Sequence, residues 1–117
     1  MVDDFSLQKY WITYQEGSVN LDNEIKDSKV PLVLYFRAKW CGPCKLMAPM
    51  LEEKLEQNKN FKVIKIETDK YEDLAMDYEI QGLPTFYVYN NGSKVDSFMG
   101  TKEDLVERLY QKISSLK

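Results

Sequence analysis

The sequence predicts an α/β domain, a mixed sheet of about four to five strands flanked by about four helices. Two observations predict it. The apolar run Val30-Pro31-Leu32-Val33-Leu34-Tyr35-Phe36 is followed by a helical stretch, 46–56, and then by Phe61-Lys62-Val63-Ile64-Lys65-Ile66-Glu67. A strand, a long helix and a second strand form a crossover, which makes the two strands parallel. Later, Thr85-Phe86-Tyr87-Val88-Tyr89 and the run 93–99 flank Asn90-Asn91-Gly92, a strong hairpin signal that makes those strands antiparallel. A sheet holding both kinds of pair is mixed. The length of 117 residues suits one domain, 1–117, with a single core.

Residues 1–9 are weakly patterned and read as an N-terminal extension. Tyr10 to Tyr14 is aromatic and β-branched, which suits an edge strand. Gly17-Ser18 breaks it, and Ser18 is placed to cap a helix running to about Ser28, with Val19, Leu21 and Ile25 near helical spacing. Pro31 opens the next strand, where a missing N–H is tolerated. Leu32 to Phe36 is apolar on both faces, the mark of a central strand covered on each side. In the helix that follows, Met47, Met50, Leu51 and Leu55 form the expected core-facing stripe. Pro49 interrupts its hydrogen bonding and bends it, and Asn58-Lys59-Asn60 ends it.

Thr68 or Asp69 then starts a helix over 70–78 with Leu74 and Tyr78 inward. Ile80-Gln81-Gly82-Leu83-Pro84-Thr85 is a loop. Gly100 ends the hairpin's second strand. Thr101-Lys102-Glu103-Asp104 resembles a capping box for a last helix, whose stripe is Leu105, Leu109 and Ile113 with Val106.

Composition excludes several classes of function. A net charge of −3 gives no basic surface for nucleic acid or membrane. No apolar run approaches the ~20 residues that span a bilayer. The start, Met1-Val2-Asp3-Asp4-Phe5, is unlike a secretory signal, so a cytoplasmic location is expected. A monomer is the default expectation.

Chemistry concentrates in Trp40-Cys41-Gly42-Pro43-Cys44-Lys45, which holds the chain's two cysteines. They lie where a strand ends and a helix begins. The first turn of a helix has unpaired N–H groups and the positive end of the macrodipole, and both stabilise a thiolate. Cys41 falls at or near the N-cap, where its sulfur can face solvent and the free N–H groups, and is the expected nucleophile. Cys44, one turn in and more buried, is the expected resolving thiol. Pro43 suits a first helical turn, and Gly42 permits close approach. A zinc site needs about four ligands, mostly Cys and His, and the chain has no histidine and no further cysteine, so no metal is expected. A purely structural disulfide across so short a loop would remove little chain entropy.

The segment Phe36-Arg37-Ala38-Lys39-Trp40-Cys41-Gly42-Pro43-Cys44-Lys45 resembles the active site of the thioredoxin family, and the likeness extends from about Trp11 to the C-terminus. The Gly-Pro between the cysteines is of that family's type. The resemblance implies a thioredoxin fold and a thiol–disulfide oxidoreductase with no bound cofactor. It would act on disulfide-containing protein substrates and be restored by a separate reductant like thioredoxin reductase. Leu83-Pro84-Thr85 resembles the family's cis-proline loop. That implies a cis bond before Pro84 and a Leu83 backbone offered to substrate. Gly100 matches a glycine where a side chain would block approach. Trp40, Leu83, Pro84 and Gly100 are then the expected substrate-binding rim.

Two supporting positions depart from the family. A buried Asp, thought to help deprotonate the second cysteine, usually stands where this chain has Tyr35. A phenol with an ordinary pKa of about 10 is a poor base, so Tyr35 is expected to fill core and the second exchange step to be slow near neutral pH. Lys65 matches the lysine beside that Asp and is left to reach Glu67 or solvent. Arg37 replaces a usual aromatic residue and is expected to bring positive charge toward Cys41. The alternatives are a specialised disulfide oxidase or isomerase, and a non-catalytic binding module with this fold.

Overall fold

A computed structural model of the chain describes residues 10–42, 44–46, 49, 50, 53, 61–100 and 105–116. Five strands form one sheet: β1 (Trp11–Thr13), β2 (Leu32–Arg37), β3 (Lys62–Glu67), β4 (Thr85–Asn90) and β5 (Ser93–Met99). Their order across the sheet is β1-β3-β2-β4-β5. β3 runs parallel to both β1 and β2, while β4 is antiparallel to β2 and β5. The expected mixed sheet is therefore present, with β2 at its centre.

The position of β2 explains its composition. Val33 and Tyr35 point to one face, where Val63, Phe86 and Val88 meet Leu109 and Ile113 of α3 (Leu105–Ser115). Leu32, Leu34 and Phe36 point to the other face, with Ile64, Ile66 and Leu21 of α1 (Leu21–Asp27). A strand packed on both faces has no polar side to show. Leu74 and Tyr78, at and just beyond α2 (Glu72–Asp77), pack on this second face as expected.

The β4–β5 turn follows its sequence signal. Asn91 and Gly92 both have positive φ, 54° and 83°, which matches the right-handed twist of the strands they join.

Two boundaries and the facing of one side chain differ from expectation. Asn20, not Ser18, caps α1, its side chain accepting the Asn23 N–H at 3.0 Å. Residues 16–18 are spent in a turn around Gly17, at φ 84°, so the helix starts later. Thr68 caps nothing. Its N–H and Oγ1 both donate to the Arg37 carbonyl, at 2.7 and 3.0 Å, and close the end of β2 against β3. α2 accordingly begins only after Tyr71.

Met50 is the third correction, because it is 42% exposed rather than core-facing. The helical phase is set by Cys44, which faces fully inward. Leu46, 73% exposed, and Met50 are one turn apart on the opposite side. Residues 1–9, Pro43, Met47, Leu51, Leu55, the helix end at 58–60 and the capping box at 101–104 lie outside the described residues, as do the side chains of Leu105 and Val106.

Candidate active site

The site forms where β2 ends. Ala38 follows the strand, and its carbonyl accepts the Cys41 N–H at 3.1 Å, which turns the chain back on itself. Gly42, Cys44, Lys45 and Leu46 are helical, so Cys41 is the N-cap residue. A capping side chain ordinarily accepts from the backbone two or three residues on. Here sulfur does so: the Cys44 N–H donates to Cys41 Sγ at 3.3 Å. The macrodipole and this amide both favour negative charge on Cys41 once the sulfur is reduced.

Cys41 and Cys44 are joined as a disulfide with Cα atoms 5.3 Å apart. Cys41 keeps 5% of its surface and Cys44 none. The expected asymmetry holds in order, though Cys41 is edged by neighbours rather than standing open. Ala38 and Leu83 pack around the pair.

The expected rim comes together around this pair. The Leu83–Pro84 peptide bond is cis, and Pro84 is buried. The Pro84 carbonyl accepts the Gly100 N–H at 3.1 Å, which brings the end of β5 beside the loop. Thr85 Oγ1 donates to the Gly82 carbonyl at 2.6 Å and tightens the same loop. Trp40, next to Cys41, is 73% exposed. Gly100 is required by its own backbone, at φ 116°, and a Cβ there would meet nothing of this chain within 4 Å. Met99 was missed by the sequence reading. It is 59% exposed, and its sulfur lies 3.0 Å from where a Cβ of Gly82 would be, so it adds a soft apolar edge to the loop. No sequence signal separates it from any other strand-end methionine.

Beneath the cysteines lies a polar group on the β2–β3 face. Tyr35 is opposite Lys65 and Arg37 opposite Glu67, so all four side chains share one side of the sheet. Tyr35 is fully buried, stacked on Phe86 at 4.8 Å and 7°, and tilted against Trp11 at 6.4 Å. Its hydroxyl donates to the Cys44 carbonyl at 2.8 Å. Burial, offset in part by Arg37 and reinforced by Glu67, pushes its pKa up to about 12.

Arg37 is held between an acidic partner and the backbone that leads to Cys41. Its Nε lies 3.7 Å from Glu67 Oε2, and another of its nitrogens donates to the Ala38 carbonyl at 3.5 Å. Lys65 does reach Glu67, at 3.9 Å. The Glu67 carboxylate is therefore shared between two cations. Among the described residues no cluster of acidic, cysteine or histidine side chains could hold a metal ion.

The thioredoxin family model matches residues 13–114. Mitochondrial thioredoxin of Mus musculus is 37% identical over 101 residues, 85% of this chain and 60% of that protein. Chloroplastic thioredoxin Y2 of Arabidopsis thaliana is 42% identical over 93 residues, 77% of this chain and 56% of that protein. The chain thus spans 60% and 56% of the lengths of these relatives. Among solved structures, mitochondrial thioredoxin 3 of Saccharomyces cerevisiae in its oxidized form is similar with a TM-score of 0.77 at 29% identity, over 95% of this chain and 99% of that one. A thioredoxin of Nicotiana alata has a TM-score of 0.78 at 29% identity, over 89% and 92%. On the matched residues, the five-stranded mixed sheet and the paired cysteines at a helix start, the chain belongs to the thioredoxin family.

Proposed function

We propose that the chain is a thiol–disulfide oxidoreductase that reduces disulfides of partner proteins through a Cys41/Cys44 cycle. One observation carries the reading: Cys41 is the less buried sulfur of a bonded pair, at a helix N-cap, with a backbone N–H aimed at it. In the reduced protein the Cys41 thiolate attacks one sulfur of a partner disulfide. That bond breaks, the other partner sulfur leaves as thiolate and takes a proton from water, and a mixed disulfide remains. Cys44 loses its proton and attacks Cys41 Sγ. The second partner sulfur leaves, and the Cys41–Cys44 disulfide closes. Two electrons have then passed to the partner, and a separate reductant of the thioredoxin-reductase kind must supply two more.

Trp40, Leu83, Pro84 and Gly100 form the surface for an extended partner segment, whose backbone meets that of Leu83. Gly42 keeps the approach clear. Action as a monomer is part of the proposal. The dithiol form is the attacking one, which supports a reducing compartment such as the cytoplasm.

Turnover of insulin disulfides with a reductase as electron source tests the reading, and its absence would overturn it. The pH profile of the second step is more specific. Tyr35, at about 12, holds its proton throughout the working range and cannot take one from Cys44. Glu67 is occupied by Arg37 and Lys65. With water as acceptor, the rate of mixed-disulfide resolution follows the thiolate fraction. It rises with pH, by up to about tenfold per unit while the thiol is still mostly protonated. Single-turnover kinetics from pH 6 to 8 check this, and a flat profile would reveal a base at work.

A further inference from the structure

We propose that the Tyr35 hydroxyl is a positioning group for the resolving sulfur: it holds the main chain of Cys44 so that the Cys44 thiol stays within bonding reach of Cys41 when the pair is open. The inference rests on the dithiol–disulfide cycle described above. It concerns what keeps the two sulfurs together at the one stage when no bond joins them.

Tyr35 is well built for this task. Its backbone pairs with Lys65 on one side and Phe86 on the other, in the middle of the central strand. Its ring is fully buried and stacked on Phe86. The hydroxyl is therefore placed by the sheet. The hydroxyl crosses from sheet to helix and donates to the Cys44 carbonyl at 2.8 Å. Burial keeps the phenol protonated, so the donor persists at every pH at which thiols exchange.

The contact matters most in the reduced chain. While the disulfide is closed, the bond itself holds Cys44. Once it opens, Cys44 keeps its place in the helix and its packing with Ala38 and Leu83, and two further bonds reach it: its N–H to Cys41 Sγ and the Tyr35 hydroxyl to its carbonyl. The N–H loses much of its hold when Cys41 is tied up in a mixed disulfide, because that sulfur is no longer charged. The Tyr35 contact involves neither sulfur directly, and it forms more completely when Cys44 is already held in place, so contact and disulfide favour each other. The contact raises the effective concentration of the Cys44 thiol at Cys41, which speeds closure and favours the closed form.

Tyr35→Phe tests this, because it keeps the ring and its stacking and removes only the hydroxyl. Equilibrating the pair against a dithiothreitol buffer should show disulfide closure about tenfold less favourable, a potential about 30 mV less reducing. In single turnover with insulin, the mixed disulfide should accumulate while the initial attack by Cys41 keeps its rate. Phe86→Leu serves as the control, since it loosens the core beside the ring and leaves the hydroxyl. It should lower the melting temperature and leave the potential in place. An unchanged potential in Tyr35→Phe overturns the proposal, whatever happens to its melting temperature, and so does a Phe86→Leu potential that moves as far. The dithiothreitol equilibrium needs no protein partner. It therefore decides the role of Tyr35 even if insulin turnover fails and the proposed cycle with it.

Discussion

Cys41→Ser abolishes turnover of protein disulfides, with a loss on the order of a thousandfold or more, as expected when an attacking atom is removed. A hydroxyl at the same N-cap can accept the Cys44 N–H just as sulfur does, so the fold is retained and the loss is chemical. Cys44→Ser fails one step later. Cys41 still attacks, but nothing displaces the partner, and a covalent complex builds up. Non-reducing electrophoresis after incubation with insulin checks both outcomes. Cys44→Ser should show a shifted band that dithiothreitol removes, and Cys41→Ser should show none. A complex formed through Cys44 in the Cys41→Ser protein would reverse the assigned roles.

The second large effect falls on stability. Tyr35→Ala removes a fully buried ring stacked at 4.8 Å on Phe86 in the central strand. Such aromatic truncations cost about 3–5 kcal/mol. For a domain of this size that corresponds to a fall in melting temperature on the order of 10–20 °C. Thermal unfolding of the oxidised protein followed by circular dichroism measures it. Tyr35→Asp suffers the same loss of packing and adds a carboxylate to an apolar site. Restoring the family's acidic group here thus works against the fold, because Trp11 and Phe86 are packed to accept a ring. A small effect of Tyr35→Ala would mean that the ring is not the core element its burial indicates.

Much of this architecture was legible in residues whose pattern is local. Leu32 to Phe36 announces a strand packed on both faces because no position is spared for water. Asn91-Gly92 announces its turn because few other residues accept positive φ twice in a row. Cys41 and Cys44 announce their chemistry by spacing and by the strand and helix on either side. Pairings that depend on register were not legible. Arg37 meets Glu67 only because β2 and β3 run parallel in a particular alignment. The phase of the helix after Cys44 could not be read from its methionines, since Met50 fits an apolar stripe by type and misses it by angle. Tyr35 fills core, as its residue type and strand predict. Its hydroxyl bond to Cys44 joins a strand to a helix across a reversal of the chain that sequence spacing does not describe.

All of the proposed chemistry depends on the two sulfurs being unequal. Timed alkylation of the reduced protein with limiting iodoacetamide across pH 5 to 9, with the modified residue identified by mass spectrometry, measures that difference directly. The account predicts that Cys41 is modified first and already at the acidic end, on the order of tenfold or more ahead of Cys44, because backbone N–H groups and exposure both favour it. Equal rates at every pH, or Cys44 leading, would contradict it.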